Sequence, residues 1–169
     1  VNRALPKHQR ELGLKVNTSN LCSEITLPTG MDHDGRERTA VCCLSSVNIE
    51  TWDQWGGDEG LVEDVLRMLD NVLTSFIDTA PDSMARAKYS ALRERSVGLG
   101  VMGFHSFLQM KAIPMESAMA KSWNLRIFRK IRREADAASY ELALERGACP
   151  DAEEKGMKAR FSYKLAIAP

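Results

Sequence analysis

The sequence predicts an α/β fold with parallel strands, on three observations. Apolar segments of strand length alternate with helical patterns, the connections between the strand-like segments are long, and 44% of the 169 residues are hydrophobic, enough for a packed core. The length suits one domain, and neither an internal repeat nor a low-complexity linker divides it.

The elements follow in chain order. Residues 13–27 are poor in helix signals and rich in Thr, Asn and Ser, and end on Pro28-Thr29-Gly30, so they read as an extended loop or hairpin. Asp32 to Arg38 reads as a polar, exposed connection. Thr39 to Ile49 mixes Val, Cys, Leu and Ser at the length of a buried strand, and Trp52 and Trp55 precede a Gly56-Gly57 turn. A helix is expected from about Leu61 to Ile77, with Leu61, Val65, Leu69, Val72 and Phe76 along its apolar face, ending before Pro81. A second, polar helix covers Ser83 to Arg95. Val97 to Gly103 reads as a strand entering a helix near Phe104 to Met110. The longest helix runs from about Ser117 to Arg146 with Leu125, Phe128, Ile131, Ala135, Ala138 and Leu142 as its stripe. Gly147 stands where a left-handed cap is expected, and Pro150 blocks continuation. Tyr163 to Ala168 is a last apolar, strand-like run. That run and the absence of an initial methionine suggest that both termini are cuts, so that residues 1–169 form a central segment of a larger domain.

Charge and composition exclude several functions. Lysine plus arginine and aspartate plus glutamate balance at 23 each, so the basic footprint of a nucleic-acid binder is missing. No apolar run approaches the roughly 20 residues of a membrane span, and a signal peptide's apolar core is absent, which predicts a cytoplasmic chain without a membrane partner. Cys22, Cys42, Cys43 and Cys149 are then expected as free, catalytic or metal-binding thiols rather than a disulfide framework. Adjacent Cys42-Cys43 lacks zinc-site spacing and His33 has no second histidine near it in sequence, so no metal site is expected. Cys149, before Pro150, reads as a packed thiol, and His105 as a packed or hydrogen-bonded histidine. The glycines at 98, 100 and 103 lack the acidic residue that a dinucleotide fingerprint needs about twenty positions on, and read as sites of close helix-on-strand packing. The basic run Arg126 to Arg133 reads as a solvated helix face.

One stretch gathers chemistry. If residues 19–25 are extended, side chains alternate, and Asn20, Cys22 and Glu24 share a side at spacings of roughly 6.5 to 7 Å, about the span of a sugar ring. An amide donates and accepts, a carboxylate takes a hydroxyl proton, and a thiol supplies redox or radical chemistry. The same residues also fit a polar turn with one buried cysteine, and alternation alone does not separate the two readings.

Ser19-Asn20-Leu21-Cys22-Ser23-Glu24-Ile25, followed some twenty residues on by Ala40-Val41-Cys42-Cys43-Leu44-Ser45-Ser46-Val47-Asn48-Ile49, resembles the centre of the class I ribonucleotide reductase large subunit. The glycine run Arg95 to Gly103, the helix and exit Tyr140 to Pro150, and Leu165 to Pro169 as the approach to a phosphate-binding loop extend the resemblance over nearly the whole chain, in the family's order. The resemblance implies a partial ten-stranded α/β barrel in which this segment carries the finger loop.

It also implies roles. Cys22 matches the cysteine that becomes a thiyl radical and takes the ribose 3′-hydrogen, Glu24 the carboxylate that takes the 3′-hydroxyl proton, and Asn20 the amide that binds sugar hydroxyls, with Ser19 and Leu21 completing a substrate-binding loop. Cys42 matches one member of the pair that reduces the 2′ position and is then re-reduced by disulfide exchange. Its partner is expected upstream of Val1. Position 43 is often asparagine or threonine in relatives, so Cys43 stays open as the exchanging thiol, although Cys42 fits the alignment better and Cys43 is expected on the opposite side of the strand. The implied activity is that of a ribonucleoside-diphosphate reductase, with no cofactor held by this segment. Its implied partners are a ribonucleoside diphosphate, the remainder of the large subunit, a metal-containing small subunit that generates the radical, and thioredoxin or glutaredoxin as reductant. Two alternatives stand beside it: an adenosylcobalamin-dependent reductase, which shares the Asn-x-Cys-x-Glu loop, and a structural or assembly fragment inactive in isolation.

Overall fold

The computed structural model describes residues 2–20 and 22–166. After a 3₁₀ turn at Asn2–Ala4 and a short helix α1 (Lys7–Glu11), a long loop leads to a hairpin of β1 (Gly30–Met31) and β2 (Glu37–Arg38). The chain continues through β3 (Cys43–Asn48), α2 (Trp52–Trp55), α3 (Leu61–Thr79), α4 (Ala85–Glu94), β4 (Val97–Met102), α5 (Phe104–Met110), α6 (Ala118–Arg146) and α7 (Pro150–Glu153). No helix among the described residues is long and apolar enough to cross a membrane.

The centre is the parallel pair β3 and β4, in register from Cys43 opposite Val97 to Asn48 opposite Met102. The helices between them form the long crossover that parallel strands require. Along the other edge of β4, Val97 N–H donates to the Tyr163 carbonyl at 3.0 Å, and Leu99 bridges Leu165 in parallel. The expected last strand is thus a single bridge within the described residues, and positions 167–169 lie outside them. These strands do not close into a barrel among the described residues.

Strand alternation splits the sheet. Val47, Val97 and Leu99 face a core shared with Val62, Leu66, Leu69 and Leu73 of α3, Ile127, Ile131 and Leu142 of α6, and Phe107 and Phe161. Each such side chain contributes about 1.5–3 kcal/mol on burial. Leu44 and Gly98 point the other way, where a Cβ at Gly98 would fall 2.5 Å from Leu44 Cδ2 and 2.9 Å from Ala166 Cβ. That glycine serves the packing of neighbouring strands, not of a helix on a strand.

Two helix faces differ from expectation. In α3 the buried stripe is Val62, Leu66, Leu69, Leu73 and Ile77, and Val72 is exposed. The expected stripe of Leu61, Val65, Leu69, Val72 and Phe76 is rotated by one position, because apolar residues flank both stripes and only tertiary contact selects between them. In α6 Ile127 and Ile131 point inward, whereas Leu125 and Phe128 are exposed at 42% and 38%. The arginines of the basic run around them are exposed as expected, whereas Lys130 is half-buried and donates to the Asp58 carbonyl at 2.8 Å.

Ser117 caps α6, its hydroxyl accepting from Ala120 N–H at 3.1 Å. At the other end Gly147 has φ +87° and ψ 150°, so glycine is required but the left-handed helical cap is absent. Arg160 Nη1 donates to the carbonyls of Arg146 and Gly147, both at 3.0 Å, and satisfies the helix end in place of that cap. His105 lies on the exposed side of α5 instead of packing inward, since Phe107 and Leu108 occupy its inner face.

Candidate active site

The loop before β1 is closed by its own ends. Thr29 N–H donates to the Lys15 carbonyl at 2.9 Å, and Asn17 Nδ2 to the Thr29 carbonyl at 2.6 Å. Within it the chain turns instead of extending: Ser23 N–H donates to the Asn20 carbonyl at 3.1 Å, and Ser23 has φ +54°. A non-glycine residue held there carries local strain. This turn breaks the period of two that was expected to put Asn20, Cys22 and Glu24 on one side. Cys22 is exposed, while Asn20 and Glu24 are half-buried. Leu21 lies outside the described residues.

Asn20 and Glu24 nevertheless meet, because the turn brings them back to one cavity of about 490 Å³. Ser19 and Thr29 of the loop also line it, and from the sheet Cys42 and Leu44. Asn20 Oδ1 and Glu24 Oε2 are both buried and have no hydrogen-bond partner among the described residues. Such orphaned groups cost about 1–3 kcal/mol each unless a ligand satisfies them.

The two adjacent cysteines separate as strand alternation requires. Cys42 lines the cavity, and Cys43 packs against the hydrophobic core. Burial, followed by the neighbouring Cys43, Glu94 and Glu24, pushes the Cys42 thiol up to about 12. Cys42 therefore rests as S–H at neutral pH. Burial raises Cys43 as well. Cys149 is fully buried with Sγ 3.5 Å from Ser162 Oγ, a packed thiol as expected.

A polar cluster that the sequence does not announce stands behind this cleft. Arg38 forks onto Asp151 at 2.7 and 2.9 Å and reaches Asp32 at 3.0 Å. Tyr89 donates to Asp32 at 2.8 Å and Arg93 to Asp151 at 3.0 Å. Asp32 and Arg38, expected in an exposed connection, are both buried, since α4 and α7 cover the hairpin and supply its counter-charges. Asp32, His33 and Asp34 bring ligand atoms within 4.8 Å of one another, but the Asp32 oxygens are already engaged by Arg38, Tyr89 and backbone N–H groups, and His33 is 3.0 Å from Glu154. The cluster is an internal lock between hairpin and helices.

The fold and site together define a class: a parallel α/β segment that presents a thiol, an amide and a carboxylate to one cleft under a strained loop. Comparison with known proteins supplies the particular family. Residues 1–165 match the family model for the ribonucleotide reductase barrel domain, and the chain belongs to that family. It is similar to the ribonucleoside-diphosphate reductase large subunit of Invertebrate iridescent virus 3, 46% identical over 168 residues that make up 99% of this chain and 26% of that protein. The large subunit of Invertebrate iridescent virus 6 is 49% identical over 148 residues, 88% of this chain and 15% of that protein. Among solved structures, the class Id ribonucleotide reductase alpha subunit of Actinobacillus ureae superposes with a TM-score of 0.88 at 35% identity, covering 99% of this chain and 31% of that one. The chain thus spans about a quarter of the length of the Invertebrate iridescent virus 3 relative and less of the second.

Proposed function

We propose that the chain supplies the substrate cleft of a ribonucleoside-diphosphate reductase catalytic subunit, as a central segment of a ten-stranded barrel, and takes part in reducing ribonucleotides to deoxyribonucleotides by thiyl-radical chemistry. The observation that carries this reading is the pair of orphaned atoms, Asn20 Oδ1 and Glu24 Oε2, buried in the cavity that Cys42 also lines. Both are acceptors, and a ribose offers two neighbouring hydroxyl donors. The cavity falls in the usual range for small-molecule sites, about 300–1,000 Å³.

In this reading the Cys22 sulfur, as a thiyl, takes the 3′-hydrogen of the ribose. Glu24 accepts the 3′-hydroxyl proton, Asn20 holds the sugar hydroxyls, and Ser19 and Leu21 are assigned to substrate binding by the family resemblance. Cys42 and a second cysteine outside this chain give two electrons and two protons as the 2′-hydroxyl leaves as water, and become a disulfide. A Cys42 thiol that stays protonated at neutral pH suits that donor role. The disulfide is reopened by exchange with thioredoxin or glutaredoxin, in a reducing cytoplasm.

The radical comes from a metal-containing small subunit. The relatives are a large subunit and a class Id alpha subunit, which favours such a two-subunit enzyme over the adenosylcobalamin alternative. Turnover is assigned to the assembled large subunit, with the isolated chain inactive. The test is ribonucleotide reduction by a complete large subunit carrying this segment, together with its radical-generating partner. Cys22→Ser is expected to abolish turnover, and a variant that kept full turnover overturns the mechanism.

A further inference from the structure

The loop that carries Asn20, Cys22 and Glu24 is tied several times at its base. Asn17 N–H donates to Thr29 Oγ1 at 3.2 Å, Asn17 Nδ2 donates to the Thr29 carbonyl, and Val16 N–H donates to Asn2 Oδ1 at 2.7 Å. Further along, the loop bonds to itself: Ser23 N–H donates to the Asn20 carbonyl, and the Ser23 hydroxyl donates to that of Ser19 at 3.3 Å. Among the described residues, one hydrogen bond joins residues 22–26 to another part of the molecule. It runs between Thr26 Oγ1 and Tyr163 Oη, 2.9 Å apart.

The direction of that bond follows from the third group it meets. Tyr163 Oη donates to the Ala4 carbonyl at 2.8 Å. A carbonyl only accepts and a phenol has a single proton, so the Thr26 hydroxyl donates and Tyr163 accepts. Tyr163 is itself fixed, because its carbonyl accepts from Val97 N–H at the edge of β4. One phenol thus joins the N-terminal turn, the loop and the last strand. The N-terminal turn braces the loop twice, through Asn2 at the base and through Ala4 and Tyr163 further along.

Packing alone does not set the position of this segment. Ile25 and Leu27, on either side of Thr26, are buried and line the cleft, whereas Thr26 turns to Tyr163. Apolar burial keeps the segment on the protein but is non-directional. A hydrogen bond has a preferred length and angle, and so fixes which side chain faces where. Thr26 is two residues from Glu24, and its anchorage sets where Glu24 enters the cavity beside Asn20 and Cys42.

We propose that Tyr163 is a positioning residue for the cleft, a phenol that holds the loop through Thr26 so that Glu24 and Asn20 keep the spacing a ribose requires. The proposal rests on the reading of this cleft as the reductase site. The Tyr163 hydroxyl is committed to Thr26 and Ala4, so it takes no part in hydrogen or proton transfer and acts only through the loop.

The test compares Tyr163→Phe, Thr26→Val and Thr26→Ser in a complete large subunit carrying this segment, assayed with its radical-generating partner. Phe keeps the ring and Val the branched shape, so each removes a hydroxyl and little packing. Because a misplacement of about 1 Å costs roughly 10²-fold, Tyr163→Phe and Thr26→Val are each expected to lower kcat by about 10- to 100-fold. The double variant should fall no further than the lower single, since both changes remove the same bond. Thr26→Ser keeps the donor and should keep kcat.

A readout that needs no turnover is alkylation of Cys42 by iodoacetamide, followed on its own peptide by mass spectrometry. Releasing the loop that shares the cavity with Cys42 should raise that rate a few-fold in Tyr163→Phe and in Thr26→Val, and leave it unchanged in Thr26→Ser. A native kcat or a native alkylation rate in Tyr163→Phe overturns the proposal. So do losses that multiply in the double variant, or a loss that Thr26→Ser shares. None of these outcomes touches the reductase reading, which fails instead if nucleotide turnover survives loss of Cys22.

Discussion

The cleft and the cluster behind it use the same side-chain chemistry to opposite ends. In the cluster, both oxygens of Asp151 and Asp32 are held by arginine, tyrosine or backbone donors. In the cleft, Glu24 Oε2 and Asn20 Oδ1 are just as hidden from water and have no such donor among the described residues. Removing the partners of a satisfied buried carboxylate is costly, whereas an unsatisfied one already carries a desolvation cost that a ligand donor would relieve. In the proposed reading the first region belongs to architecture and the second to chemistry, and substitutions at each should therefore fail differently.

The largest expected effect is in the cleft. In the assembled enzyme, Glu24→Gln keeps the shape but removes the proposed proton acceptor, and turnover should fall by roughly 10²–10⁴, the usual range for a general base. The melting temperature of the chain should barely move, and a matching loss of stability would return Glu24 to the structural class. Asp151→Ala should do the reverse. It removes both bonds of the Arg38 fork and leaves that buried guanidinium with Asp32 alone, and should cost about 3–5 kcal/mol in denaturant unfolding. A loss within the range of a surface pair would break the comparison.

The cluster should also set the acid limit of the fold. Burial alone would raise Asp32, but the hydrogen bonds from the Arg36 backbone, Tyr89 and Arg38 outweigh it and hold its carboxyl at about 2. A carboxyl held below its unfolded value of 3.8 contributes stability above that value and loses it as the pH falls toward 2. Stability measured across that window should fall in the native chain and fall less in Asp32→Asn.

What could be read in the sequence follows the same division. Parallel β3 and β4, the crossover helices and the long α6 were legible because strand runs, helical periodicity and capping residues are local. The separation of Cys42 from Cys43 was legible because strand alternation is local too. The cluster was not, since Arg38 and Asp151 lie 113 positions apart and each looks like an ordinary surface charge. The choice between two apolar stripes on α3 also belonged to tertiary contact. On the loop, the meeting of Asn20 and Glu24 was anticipated for the wrong reason: a turn with Ser23 at positive φ, which no pattern of residue types marked, brings them together and leaves Cys22 exposed.

Between cleft and core lies Gly98, and it separates packing from chemistry on a smaller scale. A methyl group there meets Leu44 Cδ2 and Ala166 Cβ inside contact distance and stops 3.7 Å from Cys42 Sγ. Gly98→Ala should cost about 1–3 kcal/mol through overpacking. It should also change the pH profile of Cys42 alkylation, because the strand that carries the thiol must shift. Loss of stability with an unmoved profile places the strain on the Ala166 side alone.

The smallest effect should come from a place that belongs to neither region. Ser117 caps α6 through one hydrogen bond to Ala120 N–H, far along the chain from both the loop and the hairpin. Ser117→Ala should cost about 1 kcal/mol, the usual value of such a cap. Because no described residue of α6 lines the cleft, the cost should appear in thermal unfolding and leave Cys22 and Cys42 with unchanged alkylation rates. If the thiols respond, the core transmits strain from helix to cleft, and the division between architecture and chemistry holds only for the polar groups on which it was drawn.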